Sequence, residues 1–170
     1  VREVCAEAAA QTGSTLVLAN DNCPGQSVIS GDTAALEVGL TLAKSAGARR
    51  AIKLAVSIAS HSPLMQPAAD AFAATLAQVD FSAPTVPIYG NVSAAPLAGV
   101  ADIRRELETQ LTNSVRWTET VQHMVADGAQ TFLEIGTKDV LVGLNKRIDE
   151  TKTAVPINTV ANLRLFVEKQ

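Results

Sequence analysis

The stretch Thr15-Leu-Val-Leu-Ala-Asn-Asp-Asn-Cys-Pro-Gly-Gln-Ser-Val-Ile-Ser-Gly31 decides the fold of the first third of the chain. Its two apolar runs, 15–19 and 26–30, predict two short strands. The cluster at 20–25 between them is dense in residues that favour turns, so we expect a tight loop there. The stretch is therefore predicted to be a β-hairpin.

Helical patterns flank this hairpin on both sides. Residues 1–12 carry apolar side chains at helical spacing and are followed by Gly13, a typical helix end. After the hairpin, the pattern predicts a helix that begins at a capping residue at 32–33 and then a third strand at 51–57. The order helix–strand–strand–helix–strand is that of a ferredoxin-like βαββαβ unit that lacks its first strand. We assign residues 1–58 to this small subdomain.

The rest of the chain, residues 59–170, alternates between helical and strand patterns. The predicted helices cover 62–79, 101–111, 115–126, 140–148 and 161–168, and the predicted strands cover 85–89, 130–135 and 154–157. Strands that alternate with helices favour a parallel sheet covered on both faces, so the chain is predicted to belong to the α/β class.

Composition excludes several classes of function. Of the 170 residues, 47% are hydrophobic and 18% charged, which is typical of a globular protein rather than a disordered one. A net charge of −3 provides no basic field for nucleic acid or anionic lipid, and no apolar run approaches the roughly 20 residues of a membrane span. Cys5 and Cys23 stand outside any CxxC or Cys/His cluster, so no metal site is predicted, and reduced thiols indicate a cytoplasmic protein.

His61 is the strongest candidate for a catalytic residue. It lies in Ser57-Ile-Ala-Ser-His-Ser-Pro-Leu-Met65, after a predicted strand and before a predicted helix, where sites collect in α/β folds. A neutral imidazole there can accept a proton from a nucleophile and return it to a leaving group; the alternative is a loop histidine that bonds locally. His123 is interpreted as a solvated helix residue. Asn20 and Asn22 either stabilise a turn or hold a ligand.

Six segments together resemble one enzyme family. In order they are Asn20-Asp-Asn-Cys-Pro-Gly-Gln-Ser-Val-Ile-Ser-Gly31, Ser60-His-Ser-Pro-Leu-Met65, Pro84-Thr-Val-Pro-Ile-Tyr-Gly-Asn-Val92, Gln110-Leu-Thr-Asn-Ser-Val-Arg-Trp-Thr118, Phe132-Leu-Glu-Ile-Gly136 and Val140-Leu-Val-Gly-Leu-Asn-Lys-Arg-Ile148. Their order and spacing resemble those of malonyl-CoA:acyl carrier protein transacylases, and acyltransferase domains of polyketide synthases look similar. The resemblance covers about residues 1–158.

The resemblance implies a serine acyltransferase of fatty acid biosynthesis. Its fold would combine the ferredoxin-like subdomain with the C-terminal part of an α/β-hydrolase-like core. His61 matches the family's catalytic histidine, and Gln110 matches the residue whose backbone carbonyl orients that histidine. Asn20, Asn22 and Val140 match positions that line the acyl and pantetheine pocket. No cofactor is implied beyond the coenzyme A thioester of malonyl-CoA and the phosphopantetheine of acyl carrier protein.

Two parts of the family's machinery have no counterpart in these 170 residues. The chain contains neither the Gly-His-Ser-x-Gly elbow that carries the nucleophile nor the arginine that pairs with the malonyl carboxylate. We expect both to lie upstream of Val1, in an N-terminal portion without which this chain does not transfer malonyl. A fragment of a polyketide synthase domain and a non-catalytic module that docks a carrier protein are the alternatives. Ser60, before His61, resembles the pattern associated with methylmalonyl use in polyketide domains, but malonyl is favoured.

Overall fold

Seven α-helices and four β-strands make up the part of the chain that the computed structural model describes, residues 1–168. The helices are α1 (Arg2–Thr12), α2 (Thr33–Ser45), α3 (Gln66–Leu76), α4 (Val100–Thr109), α5 (Trp117–Ala126), α6 (Val140–Ile148) and α7 (Val160–Val167). The strands are β1 (Leu16–Cys23), β2 (Gln26–Gly31), β3 (Thr131–Ile135) and β4 (Thr153–Ile157). The chain is of the α/β class, as predicted. The division at residue 58 stays a prediction, and residues 169–170 of its second unit lie outside the described residues.

The predicted hairpin forms, but its strands are longer than expected. β1 and β2 pair antiparallel and meet at Cys23 and Gln26, which leaves Pro24 and Gly25 as the turn. Gly25 has φ 79°, which with the preceding proline suits a type II turn. The predicted loop at 20–25 is therefore wrong over its first four residues, which continue β1.

A second hydrogen-bonding partner explains why this polar stretch stays extended. The Val115 amide donates to the Ala19 carbonyl at 2.8 Å, and the Asp21 amide donates to the Val115 carbonyl at 2.9 Å. β1 is thus bonded to β2 on one edge and to Val115 on the other, so its backbone groups are satisfied as a strand requires. Because its amide and carbonyl are bonded to β1, Val115 does not belong to the helix predicted at 115–126, and α5 begins at Trp117.

Helices α1 and α2 pack together against the hairpin. A small core of Cys5, Ala8, Leu16 and Ala35 is buried there. Gly13 ends α1 in the left-handed conformation, φ 64°, as the sequence predicted. Asp32, predicted as a cap of α2, instead accepts the Thr15 amide at 2.9 Å and makes no side-chain cap.

The second sheet is smaller than expected. β3 and β4 form a parallel pair, and the third strand predicted at 85–89 contributes only a single bridge between Tyr89 and Pro96. Pro87 removes an amide donor from the middle of that segment, and Pro84 removes another just before it, which disfavours a ladder. The predicted cover on both faces is also incomplete, because Ile135 of β3 is 80% exposed.

The strand predicted at 51–57 is also absent, and the segment is irregular. In a ferredoxin-like sheet the last strand pairs with the first, and the sequence pattern contains no first strand. Without a partner for its amides and carbonyls, an alternating segment has nothing to hold it as a strand. Its apolar side chains Ile52, Leu54 and Val56 are exposed.

Charged residues on α4 hold neighbouring segments, although their spacing along the sequence is that of a solvated helix face. Arg104 donates to the carbonyls of Leu76 and Val79 and lies 4.9 Å from the centre of the Phe81 ring. Glu106 accepts the amides of Val92 and Ser93 at 2.6 and 3.1 Å. None of the helices in the described part combines the length and apolar character that crossing a membrane requires.

Candidate active site

His61 stands at a sharp change of backbone direction before α3. Its φ is 58°, and among the described residues only Ala94 shares a positive φ without being glycine. The ring is half-buried, and Nδ1 lies 2.9 Å from the carbonyl oxygen of Gln110. Because a carbonyl can only accept, Nδ1 carries the proton of this bond. In the neutral ring Nε2 then has the free lone pair and can act as a base.

Ser62, the next residue, is completely buried. Its hydroxyl donates to the Ala59 carbonyl at 2.7 Å, and its side chain does not cap the helical turn that follows. A single 3₁₀ turn, Pro63–Met65, follows and leads directly into α3. The predicted helix at 62–79 is therefore shorter at both ends.

Gln110 contributes its backbone to this contact because α4 has just ended at Thr109. The last carbonyls of a helix have no intrahelical partner, so the Gln110 oxygen is available to an external donor. The Gln110 side-chain Oε1 is buried and, within residues 1–168, has no hydrogen-bond partner. The contact with His61 therefore uses the main chain only.

Asn20 and Asn22 lie on β1 rather than in a loop. The β1–β2 register shifts between Leu18 and Asn20 and again between Asp21 and Cys23, so a bulge accompanies each asparagine. Bulges re-aim side chains and often occur beside sites. Neither asparagine forms a hydrogen bond to the His61 ring within the described part of the chain.

The segment 114–118 was not identified as part of the site by sequence reasoning. Besides the Val115 bonds, the Ser114 hydroxyl donates to the Leu18 carbonyl, and the Thr118 hydroxyl lies 3.1 Å from Asp21 Oδ1. Val115 follows Gln110 by five residues. One short piece of chain therefore supplies the carbonyl that holds His61 and the edge that holds β1. In the sequence, this segment stood out only as part of the fourth of the six segments that resemble the family.

Val140 begins α6, and α6 packs against β1, the strand that carries both asparagines. The helix is fixed at its N-terminus by Glu134, whose carboxylate accepts the Val142 amide at 2.8 Å. Near its other end, Arg147 donates to the Pro24 carbonyl and to Gln26 Oε1, both at 2.8 Å. Val140 itself, in the first turn of α6, is 55% exposed.

The other reactive side chains do not form a second centre. Burial raises the pKa of both the Cys5 and the Cys23 thiols, which keeps them protonated at neutral pH. His123 is exposed, as predicted, but its Nδ1 also bonds to the Ala94 carbonyl. Across residues 1–168, no group of three or more His, Cys, Asp or Glu side chains is arranged to hold a metal ion.

Known proteins are similar to this chain over nearly its whole length. The family model described as "Acyl transferase domain" matches residues 2–163. The malonyl CoA-acyl carrier protein transacylase of Salmonella typhimurium is 44% identical over 163 residues, which are 96% of this chain and 52% of that protein.

Comparison with solved structures points to the same family as comparison of sequences. A malonyl-CoA:acyl carrier protein transacylase from Xanthomonas oryzae pv. oryzae superposes with a TM-score of 0.93 at 42% identity, covering 99% of this chain and 53% of that one. A malonyl-transacylase in complex with its type II PKS acyl-carrier protein gives 0.95 at 41% identity, covering 99% and 54%. The chain therefore spans about half the length of the relatives it matches.

Proposed function

Because this chain belongs to the acyl transferase domain family, we propose that it is part of an [acyl-carrier-protein] S-malonyltransferase. The enzyme would transfer malonyl from malonyl-CoA to the phosphopantetheine thiol of acyl carrier protein in fatty acid biosynthesis. The observation that carries the proposal is the bond from His61 Nδ1 to the Gln110 carbonyl, 2.9 Å long, which leaves Nε2 as the base.

The proposed reaction is a double displacement. His61 Nε2 accepts the proton of a serine hydroxyl as the serine oxygen attacks the malonyl thioester carbonyl. The C–S bond breaks, and the coenzyme A thiolate takes that proton from His61. The carrier's thiol then gives its proton to Nε2 and attacks the acyl-serine, and His61 returns the proton to the serine oxygen. The nucleophilic serine is not assigned to any residue of this chain, because no GxSxG elbow occurs in the 170 residues.

The remaining residues have binding and orienting roles in this proposal. The Gln110 carbonyl fixes the tautomer and orientation of the imidazole and stabilises the imidazolium that forms. Asn20, Asn22 and Val140 line the acyl and pantetheine pocket, between a small subdomain at 1–58 and the α/β core. The enzyme would need no metal or resident cofactor, and would work in the cytoplasm together with its serine-bearing portion.

A polyketide carrier protein is a second candidate acceptor. One specific observation favours it, since a structure at TM-score 0.95 is a malonyl-transacylase in complex with its type II PKS acyl-carrier protein. Transfer rates to a fatty-acid carrier and to a type II PKS carrier, compared at equal concentration, decide between the two acceptors.

A chimera tests the proposed function. The part of the Salmonella typhimurium relative that lies outside the match is placed ahead of Val1, and transfer of labelled malonyl to carrier protein is measured. We expect transfer by the chimera and none above background by either part alone. A well-folded chimera that forms no acyl-enzyme with malonyl-CoA contradicts the proposal, and faster transfer of methylmalonyl contradicts the choice of malonyl.

Replacing Gln110 by alanine in this chimera is expected to leave kcat within about threefold of the unsubstituted value. The substitution keeps the main-chain carbonyl and removes a buried amide oxygen that has no partner in the described residues. A side-chain orienting group, in contrast, would cost orders of magnitude when deleted. Steady-state kinetics decide the matter, and a fall in kcat beyond a hundredfold would mean that the side chain acts in the reaction.

A further inference from the structure

The conformation of His61 requires something to hold it. A left-handed backbone brings the Cβ of an L-residue close to its own carbonyl, so few residues other than glycine adopt it, and asparagine, aspartate and histidine do so more often than the rest. His61 nevertheless has φ 58°. Such conformations persist where the surrounding structure over-determines them, and they cluster at functional sites.

The Ser62 hydroxyl forms a bond that spans His61. It donates to the Ala59 carbonyl at 2.7 Å and so joins the residue after the histidine to the residue two before it. Ser62 has 0% of its surface exposed, so water cannot replace the Ala59 carbonyl as the partner of its hydroxyl. The bond closes a loop of four residues with His61 inside it.

The backbone of Ser62 is fixed from the other side as well. Pro63 excludes the helical region for the residue before it, and Ser62 is accordingly extended, with φ −135° and ψ 161°. The Ser62 carbonyl also accepts the Met65 amide at 3.0 Å. The Ser62 hydroxyl is thus bonded to an earlier residue, Ala59, and its carbonyl to a later one, Met65. Since the backbone of Ser62 is fixed in this way, the change of chain direction falls at His61.

We propose that Ser62 is a positioning residue, whose buried hydroxyl holds His61 in the left-handed conformation that brings Nδ1 to the Gln110 carbonyl. The inference rests on the proposed role of His61 as the base. Losing the hydroxyl lets the histidine backbone relax, which lengthens the Nδ1 contact. The Nδ1–H tautomer loses population, and Nε2 is less often available as a base.

Kinetics of the chimera give the first test. We expect Ser62→Ala to lower kcat about tenfold, the effect of losing one buried hydrogen bond, with KM unchanged. Ser62→Cys keeps a weak donor of similar size and is expected to retain about a third of kcat. Ser57→Ala, an exposed serine of the same segment, is the matched control and should not change kcat. An unchanged kcat in Ser62→Ala overturns the proposal.

The tautomer of His61 gives a readout that does not depend on activity. In ¹H–¹⁵N spectra of the histidine rings, His61 is identified by the signals lost in His61→Gln, and His123 serves as the internal reference. We expect the Nδ1–H population of His61 to fall in Ser62→Ala and to fall partly in Ser62→Cys, while His123 stays unchanged.

The spectra also separate failure of this inference from failure of the proposed function. An inactive chimera with the expected tautomer shift contradicts the transferase proposal and supports the positioning role. An active chimera whose His61 tautomer is the same in all variants overturns the positioning role. If Ser62→Ala does not fold, Ser62→Cys alone decides, and an unshifted tautomer with full kcat overturns the inference.

Discussion

Replacing His61 by alanine in the chimera is expected to lower kcat for malonyl transfer about a thousandfold, within the range that a positioned general base contributes. The reason is the geometry of the ring. Its Nδ1–H is held by the Gln110 carbonyl at 2.9 Å, so Nε2 is left to accept protons in both half-reactions. We expect acyl-enzyme formation and its transfer to the carrier to slow together, since one base serves both steps.

His123→Ala is the matched control for this prediction. It is the second of the two histidines of the chain, and its Nδ1 is also bonded to a backbone carbonyl, that of Ala94. On the exposed face of α5 it has no part in the proposed reaction, so its loss should leave kcat within about twofold. Equal losses in both variants, or a His61→Ala variant that keeps a tenth of the activity, would contradict the role assigned to His61.

Gly31→Ala is expected to lower the free energy of unfolding of the chimera by about 3 kcal/mol, at the upper end of the cost of overpacking. A Cβ at this position would lie 2.0 Å from the Thr15 carbonyl oxygen and 2.8 Å from the Leu16 Cα. Both obstacles are backbone, so no rotamer change can relieve them. The crowded carbonyl also accepts the Asp32 amide at 2.8 Å, which joins the hairpin to the start of α2.

Gly143→Ala provides the control. In α6, a Cβ at Gly143 meets no atom within 4 Å. Alanine is the better helix former, so this variant is expected to gain up to about 1 kcal/mol. Urea unfolding of both variants measures the difference. A Gly31→Ala variant within about 0.5 kcal/mol of the parent would mean that the close approach at Thr15 is relieved by backbone movement.

Elements that depend on local sequence were predicted correctly. All seven predicted helices overlap observed ones, with ends that differ by at most about four residues. The end of α1 at Gly13 and the turn at Pro24 and Gly25 follow from the positive φ that glycine allows and from the fixed φ of proline. The predicted helix at 62–79 also begins close to the observed helical region, which starts at Pro63, although the Ser62 hydroxyl bonds back to Ala59.

The errors fall where a segment depends on a distant partner. The strands predicted at 51–57 and 85–89 alternate as strands do, but the described chain offers them no ladder. The polar run at 20–23 has the composition of a turn, yet it is a strand because Val115 bonds to its edge. Glu106 and Arg104 have the pattern of a solvated helix face, yet each bonds to backbone groups of another segment.

The candidate site shows the same difference between features that local sequence predicts and features that depend on a distant partner. By itself, the sequence determined that His61 stands just before a helix, that a hairpin turns within residues 20–25, and which family the motifs resemble. The resemblance paired His61 with the Gln110 carbonyl, but only the tertiary structure decided that His61 adopts φ 58° and that Nδ1 is the ring atom that lies 2.9 Å from that carbonyl. The physical reason is that propensity and periodicity act within a few residues, whereas a hydrogen bond between distant segments exists only once packing has brought them together.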